Sequence, residues 1–255
     1  MLTLQEILER ETRVLLDNSA FGFYNDINAQ LLEKSAEKVL DTVLPCNYAY
    51  ILPETLAQIN GLKRALNSGQ KTFRERVRKY QRSELFSDIK GTYEEICKKL
   101  RCIKRFISEM KGKVLDIDDN ILYLQFVNFV CYLENTFRVK KNRNPCKRTD
   151  EKVVAAALFL TAYGKGSTAV VTGDSDITRL LKCSFDFFCM QDFSHQTERV
   201  SQGLRQGINL YFRVPETQTY EARFNSLYHE IRNRGLTIFQ REAIRRHLSR
   251  LSPAA

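Results

Sequence analysis

The side chains of this 255-residue chain best placed to do chemistry are acids standing where apolar segments stop. Residues 14–16 (VLL) run directly into Asp17-Asn18-Ser19, and residues 170–172 (VVT) run into Gly173-Asp174-Ser175-Asp176. Asp150 and Glu151 open the apolar stretch 152–163, straight after the basic run 140–149. In an open parallel sheet the carboxyl ends of the strands line the ligand crevice, which makes Asp17, Asp150, Asp174 and Asp176 the candidate catalytic set. Converging carboxylates repel one another and require a cation. Oxygen donors without a Cys or His partner suit Mg²⁺ or Mn²⁺, ions that activate water and stabilise a phosphoryl transition state. Each acid also has a plainer reading. Asp150 would cap a helix beside Thr149, worth about 1 kcal/mol. Asp174 and Asp176 would cap and charge a helix starting near Ile177, and Asp17 would be a turn residue.

Positioning such acids calls for alternating strands and helices. Five short runs have strand character: 12–16 (TRVLL), 48–52 (YAYIL), 113–117 (KVLDI), 168–172 (TAVVT) and 185–189 (FDFFC). Between them lie helical patterns, at 27–40, along 73–82 and in the stripe Ile96, Leu100, Ile103, Ile107 and Met110. Residues 120–137 and 152–163 are apolar nearly all round, as helices buried between layers are. The alternation predicts an α/β fold whose parallel sheet is covered on both faces. Towards the end, 209–213 (NLYFR) reads as an edge strand and 237–251 as a basic helix.

Charge is uneven along the chain. The total is +10, and residues 61–113 alone hold 16 basic against 6 acidic side chains. Residues 138–149 hold 6 basic side chains and no acidic one. Such blocks attract polyanions, nucleic acid above all, although a solvated helix face explains 61–113 equally well. No apolar run is long enough to span a bilayer, the N-terminal residues are unlike a secretory signal, and seven cysteines without CxxC spacing read as reduced thiols. These features predict a soluble, cytoplasmic protein with no membrane partner.

The ordered set RVLLDNSAFG (Asp17), TDEKVVAAALFL (Asp150) and VVTGDSDI (Thr172, Asp174, Asp176) resembles the PIN-domain nucleases. The Asp17-Asn18 pair and the GDSD context also look like their NYN branch. The resemblance covers roughly residues 8–195. It implies a three-layer α/β/α sandwich with a mostly parallel sheet of about five strands, and metal-dependent hydrolysis of phosphodiester bonds, more often in RNA than in DNA. The family's Asp after the fourth strand would be Asp174. Its usual Glu in the helix after the second strand is replaced here by Gln58, and an accompanying Asp by Asn60; Glu54, one helical turn earlier on the same face, is the substitute metal ligand.

The expected organisation is a PIN-like domain at 1–195, with a basic helical insertion at about 63–112, and a basic extension at 196–255 that would bind nucleic acid, a protein partner or a second copy of the chain. Asp17, Asp150, Asp174, Asp176 and Glu54 would hold Mg²⁺ or Mn²⁺. Asn18, Gln58 and Thr172 would orient ligands or substrate, and Lys140, Lys141, Arg143, Lys147 and Arg148 would grip the nucleic-acid backbone. The competing readings are a catalytically weak nucleic-acid-binding or scaffold protein on the same fold, and a hydrolase of small phosphates.

Overall fold

The structure, a computed structural model, describes residues 1–22, 29–81, 85–141, 148–232 and 235–251, with 29–35 described by backbone alone. Five strands form one sheet in the order β2-β1-β3-β4-β5: β1 is Val14–Leu16, β2 Ala49–Tyr50, β3 Thr168–Thr172, β4 Ile208–Val214 and β5 Thr219–Asn225. The first four are parallel, and β5 returns antiparallel beside β4. Nine α-helices are present among the described residues: α1 (Leu4–Arg10), α2 (Ala29–Val43), α3 (Pro53–Lys79), α4 (Phe86–Met110), α5 (Ile121–Phe137), α6 (Thr149–Tyr163), α7 (Ser175–Cys189), α8 (Ser194–Leu204) and α9 (Ile238–Leu251).

Successive side chains of a strand point to opposite faces, and here both faces are apolar. Leu15, Val170 and Leu210 enter one core, filled by side chains of α5 to α9. Val14, Leu16, Ala169, Val171 and Tyr211 enter the other, filled from α1, α2, the start of α3 and the end of α4. The result is an α/β architecture with a mostly parallel five-stranded sheet and helices on both faces, compatible with a three-layer sandwich. Among the described residues no helix is long and apolar enough to cross a membrane.

Three expected strands are corrected. The run 185–189 lies inside α7, where Phe185, Phe187 and Phe188 are all buried. Apolar residues on several helix faces imitate the alternation of a strand, and the buried Asp186 among them accepts from Arg232 N at 3.2 Å and bonds His229 Nε2 at 2.8 Å. The run 113–117 forms one isolated parallel bridge, Ile51 to Val114, rather than a strand. The run 209–213 lies in β4, which is interior, because β5 takes the edge. β5 escapes the alternation rule through a bulge opposite Leu210 and Tyr211. That extra residue turns Phe224 towards the first core and Tyr220 towards the second, although they are an even number of positions apart.

Residues 196–255, expected as an extension, contribute β4 and β5 to the sheet and Ile244, Leu248 and Leu251 of α9 to its core. The basic stretch 63–112 is the distal part of α3 folded back through α4. α3 runs unbroken for 27 residues, so the hairpin begins on the same helix that bears Glu54 and Gln58.

Helix α8 approaches α6 closely at Gly203, where a methyl would collide with the carbonyl of Ala162. Gly203→Ala is expected to cost about 1–3 kcal/mol, read as a lower urea midpoint with an unchanged slope.

Candidate active site

The carboxyl ends of β1 and β3 lie side by side, because Leu15 and Leu16 pair with Val170 and Val171. Asp17 N donates to Val171 O at 3.0 Å, extending the ladder one step past Leu16 and fixing Asp17 over the sheet edge. Asp17 then caps a short 3₁₀ turn, Asn18–Phe21, its carboxylate accepting from Ser19 N at 3.2 Å and Ser19 Oγ at 2.5 Å. Thr172 Oγ1 donates to the same carboxylate at 3.2 Å and accepts from Asp174 N at 2.9 Å. Ser19 Oγ accepts from Gly173 N at 2.7 Å. Two hydroxyls thus stitch the end of β1 to the turn after β3. Asp174 caps α7, accepting from Asp176 N at 2.7 Å. Asp176, 2 % exposed, accepts from Lys141 N at 3.0 Å and pairs with Arg179.

Asp150 sits in the first turn of α6, whose cap position is Arg148. Its Oδ2 lies 2.6 Å from Lys140 Nζ, and the same ammonium stands 3.3 Å from Glu151 Oε1. The Lys140 side chain is only 4 % exposed, so this lysine faces inward and is not a surface contact for nucleic acid. Lys140 N is also held, by Glu134 Oε2 at 2.9 Å.

The electrostatics follow from this crowding. Burial raises the Asp17 carboxyl above its ordinary range; the bonds from Ser19 oppose the rise and the Asp150 charge adds to it. Asp174 is raised by burial and by the charges of Asp150, Asp17 and Asp176, against its bond from Asp176 N. Burial pulls Lys140 down, but its bond to Asp150 and the charges of Asp150 and Glu151 more than offset that, and its ammonium is held above the usual lysine range. Asp17 therefore senses the charge of Asp150, and Asp174 senses the charges of Asp150 and Asp17, while Lys140 is the cation paired with Asp150.

The other expected site residues are divided. Glu54 pairs with Lys152, whose Nζ also lies 3.2 Å from Asp118; that ion pair turns Glu54 to its own lysine instead of the Asp17–Asp174 group. Gln58 Nε2 donates to Thr149 Oγ1 at 3.0 Å, one residue from Asp150. Asn18 Oδ1 is buried with no hydrogen-bond partner among the described residues. Lys141 and Arg148 are exposed, while Arg143 and Lys147 lie outside the described residues. Sequence reasoning missed Ser19 and the inward turn of Lys140. The first had a local signal, a hydroxyl two residues after an Asp at a turn; the second had none, since any lysine of a basic run reads as surface.

Among the described residues, no group of three or more Asp, Glu, His or Cys side chains is gathered as a ready-made metal cage. Comparison of the chain with protein-family models, curated proteins and solved structures finds no match.

A carboxyl raised in the folded state supports folding below its ordinary range and withdraws that support as pH rises through the raised value. Asp174→Asn removes the loss while keeping a helix cap of equal quality. The variant is expected to melt roughly 2–4 °C higher at pH 7, about 1 kcal/mol for a chain of this size, with the gain vanishing below roughly pH 4. Thermal melts across that range check it.

Proposed function

We propose that the chain is a metal-dependent, PIN-like nuclease that hydrolyses phosphodiester bonds, in RNA in preference to DNA, with Mg²⁺ or Mn²⁺ as cofactor. The observation that carries this reading is the placing of Asp17 and Asp174 just past the carboxyl ends of the adjacent parallel strands β1 and β3, close enough to Asp150 of α6 that its charge raises both, with Asp174 raised by Asp17 as well. Like charges brought together at a sheet edge cost stability, and that kind of cost collects at functional sites. The edge is also where strand order reverses, since β2 lies on one side of β1 and β3 on the other.

The donor chemistry fits a hard divalent cation: Asp17, Asp150 and Asp174 are oxygen donors, and Asn18, next to Asp17 in the chain, has a buried Oδ1 with no partner among the described residues. Asp17, Asp150 and Asp174 are the residues that would hold the ion. A bound ion would supply an activated water and neutralise charge on the scissile phosphate. The chain's own groups do the rest. Ser19 and Thr172 hold the Asp17 carboxylate in one orientation, and Arg179 and the Lys141 amide fix Asp176. Exposed Lys141 and Arg148 offer phosphate contacts beside the acids.

A second reading, a nucleic-acid-binding protein without appreciable cleavage, is favoured by Lys140, which already supplies positive charge at Asp150. Incubating single-stranded RNA and DNA with Mn²⁺, Mg²⁺ or EDTA separates the two. The nuclease reading expects metal-dependent cleavage, stronger on RNA, that falls at least about 100-fold in Asp174→Asn. Unchanged cleavage in that variant overturns it, and salt-sensitive binding without cleavage favours the second reading. In either case Lys141→Ala with Arg148→Ala should flatten the dependence of log affinity on log salt for single-stranded RNA by roughly 1.4, about 0.7 for each phosphate no longer neutralised.

A further inference from the structure

The outer part of the α3–α4 hairpin is strongly basic on one flank only. The two helices meet along a line marked by Gln70 Nε2, 3.1 Å from Cys97 Sγ, and by Gly69, where a methyl would stand 3.8 Å from Ile96 Cδ1. Half-buried Leu66, Phe73 and Val77 of α3 follow that line, as do half-buried Tyr93 and buried Leu100 of α4. Each residue turns a helix by about 100°. Counted from the line, Arg64, Lys71, Arg74 and Arg78 share one side of α3, at the spacings of seven, three and four that keep residues on one face. Lys98 and Arg101 stand at the same angles on α4. The helices run antiparallel, so equal displacement in the same rotational sense puts both sets on one flank of the hairpin.

All six side chains are exposed, and among the described residues none of them is in an ion pair. The acid on that flank, Glu94, is answered by Lys90 at 3.9 Å, and Glu75 stands on the ridge farthest from α4, between the flanks. The opposite flank carries Glu54 and Gln58 at the root, and further out it mixes Arg76, Lys79 and Lys99 with Asp88 and Glu95. A face that only keeps a helix in water gains from such mixing, because an acid three or four residues from a cation adds stability. The basic flank forgoes that gain: Lys71, Arg74 and Arg78 are successive neighbours of like charge. Its outward positions also hold no aromatic ring on which a base could stack.

We infer that this flank seats the phosphate backbone of a double-helical stretch of RNA. The cations of α3 are spread over about 21 Å, and the second row, on α4, lies one interaxial distance of roughly 8–10 Å away. Two rows of fixed charge suit a polyanion of fixed shape better than a flexible strand. Without rings for stacking, affinity comes from phosphates, and what is recognised is backbone shape and not sequence. That the polyanion is RNA rests on the nuclease reading. The flank lies opposite the one that bears Gln58, so it would hold the duplex apart from the acid group.

Fluorescence anisotropy of a labelled, blunt RNA duplex, read in EDTA so that no cleavage intervenes, tests the inference. Arg74→Gln with Arg78→Gln should weaken binding at least about tenfold and flatten the dependence of log affinity on log salt by roughly 1.8, about 0.9 for each phosphate. Arg76→Gln with Lys79→Gln removes the same charge from the other flank of the same helix, and should change affinity less than about twofold. Duplexes of unrelated sequence should bind alike. Equal losses in the two double variants, or no loss in the first, overturn the inference, as does a wild type that binds no duplex. So does tighter binding of the single strand, or of vesicles of phosphatidylserine and phosphatidylcholine in equal parts. A wild type that binds the duplex but cleaves no RNA with Mn²⁺ overturns the nuclease reading and leaves this flank as a duplex-binding surface.

Discussion

Val14, Leu15 and Leu16 of β1 pair in register with Ala169, Val170 and Val171 of β3, and everything at the sheet edge is built on that pairing. It brings Asp17 against Thr172, 155 positions away along the chain, and the ladder is tight enough that the Ser19 and Thr172 hydroxyls bridge the two turns. A slip of one residue would send Leu15 to the opposite core and carry Asp17 off the edge with it. The two apolar cores therefore hold the register, and the register holds the acids. Neither the cap of α7 nor the turn after Asp17 would bring carboxylates together without it.

Holding those acids has an electrostatic cost that the fold meets with one buried ammonium. Lys140 lies between Asp150 and Glu151, where its attraction to both outweighs its own burial. Asp17 and Asp174 are served instead by hydroxyls and amides, which stabilise a carboxylate without cancelling its charge. The group is thus unevenly balanced, neutralised at Asp150 and left acidic at Asp17 and Asp174.

Much of this was legible from local pattern. β1 and β3 are short apolar runs ending in Asp-bearing turns, and α5 and α6 are apolar all round, so strand, helix and edge acids could be read without knowing what packs where. The remainder depended on tertiary context. FDFFC alternates like a strand but continues a helix whose cap, Asp174, lies eleven residues earlier in the chain. The bulge in β5 hides its two buried aromatics from a period-two reading. Glu54 shares a helix face with Gln58, yet Lys152 of α6 claims it, and a partner supplied by another element is invisible in the sequence of α3. Lys140 is the same case in reverse, one lysine of a basic run turned inward by carboxylates eleven and fewer positions ahead.

Helix α3 has 27 residues, which at 1.5 Å per residue makes a rod of about 40 Å. Its root is clamped: Thr55 and Ile59 are fully buried, and Gln58 is tied to Thr149 at the start of α6. Its outer half carries Arg74, Arg76, Arg78 and Lys79 in solvent, braced by α4. The helix is thus clamped at its root and braced along its length. The root at Thr55 and Ile59 carries Gln58, which is bonded one residue from Asp150. One unbroken helix therefore joins the basic outer arm to the residue that braces the start of α6.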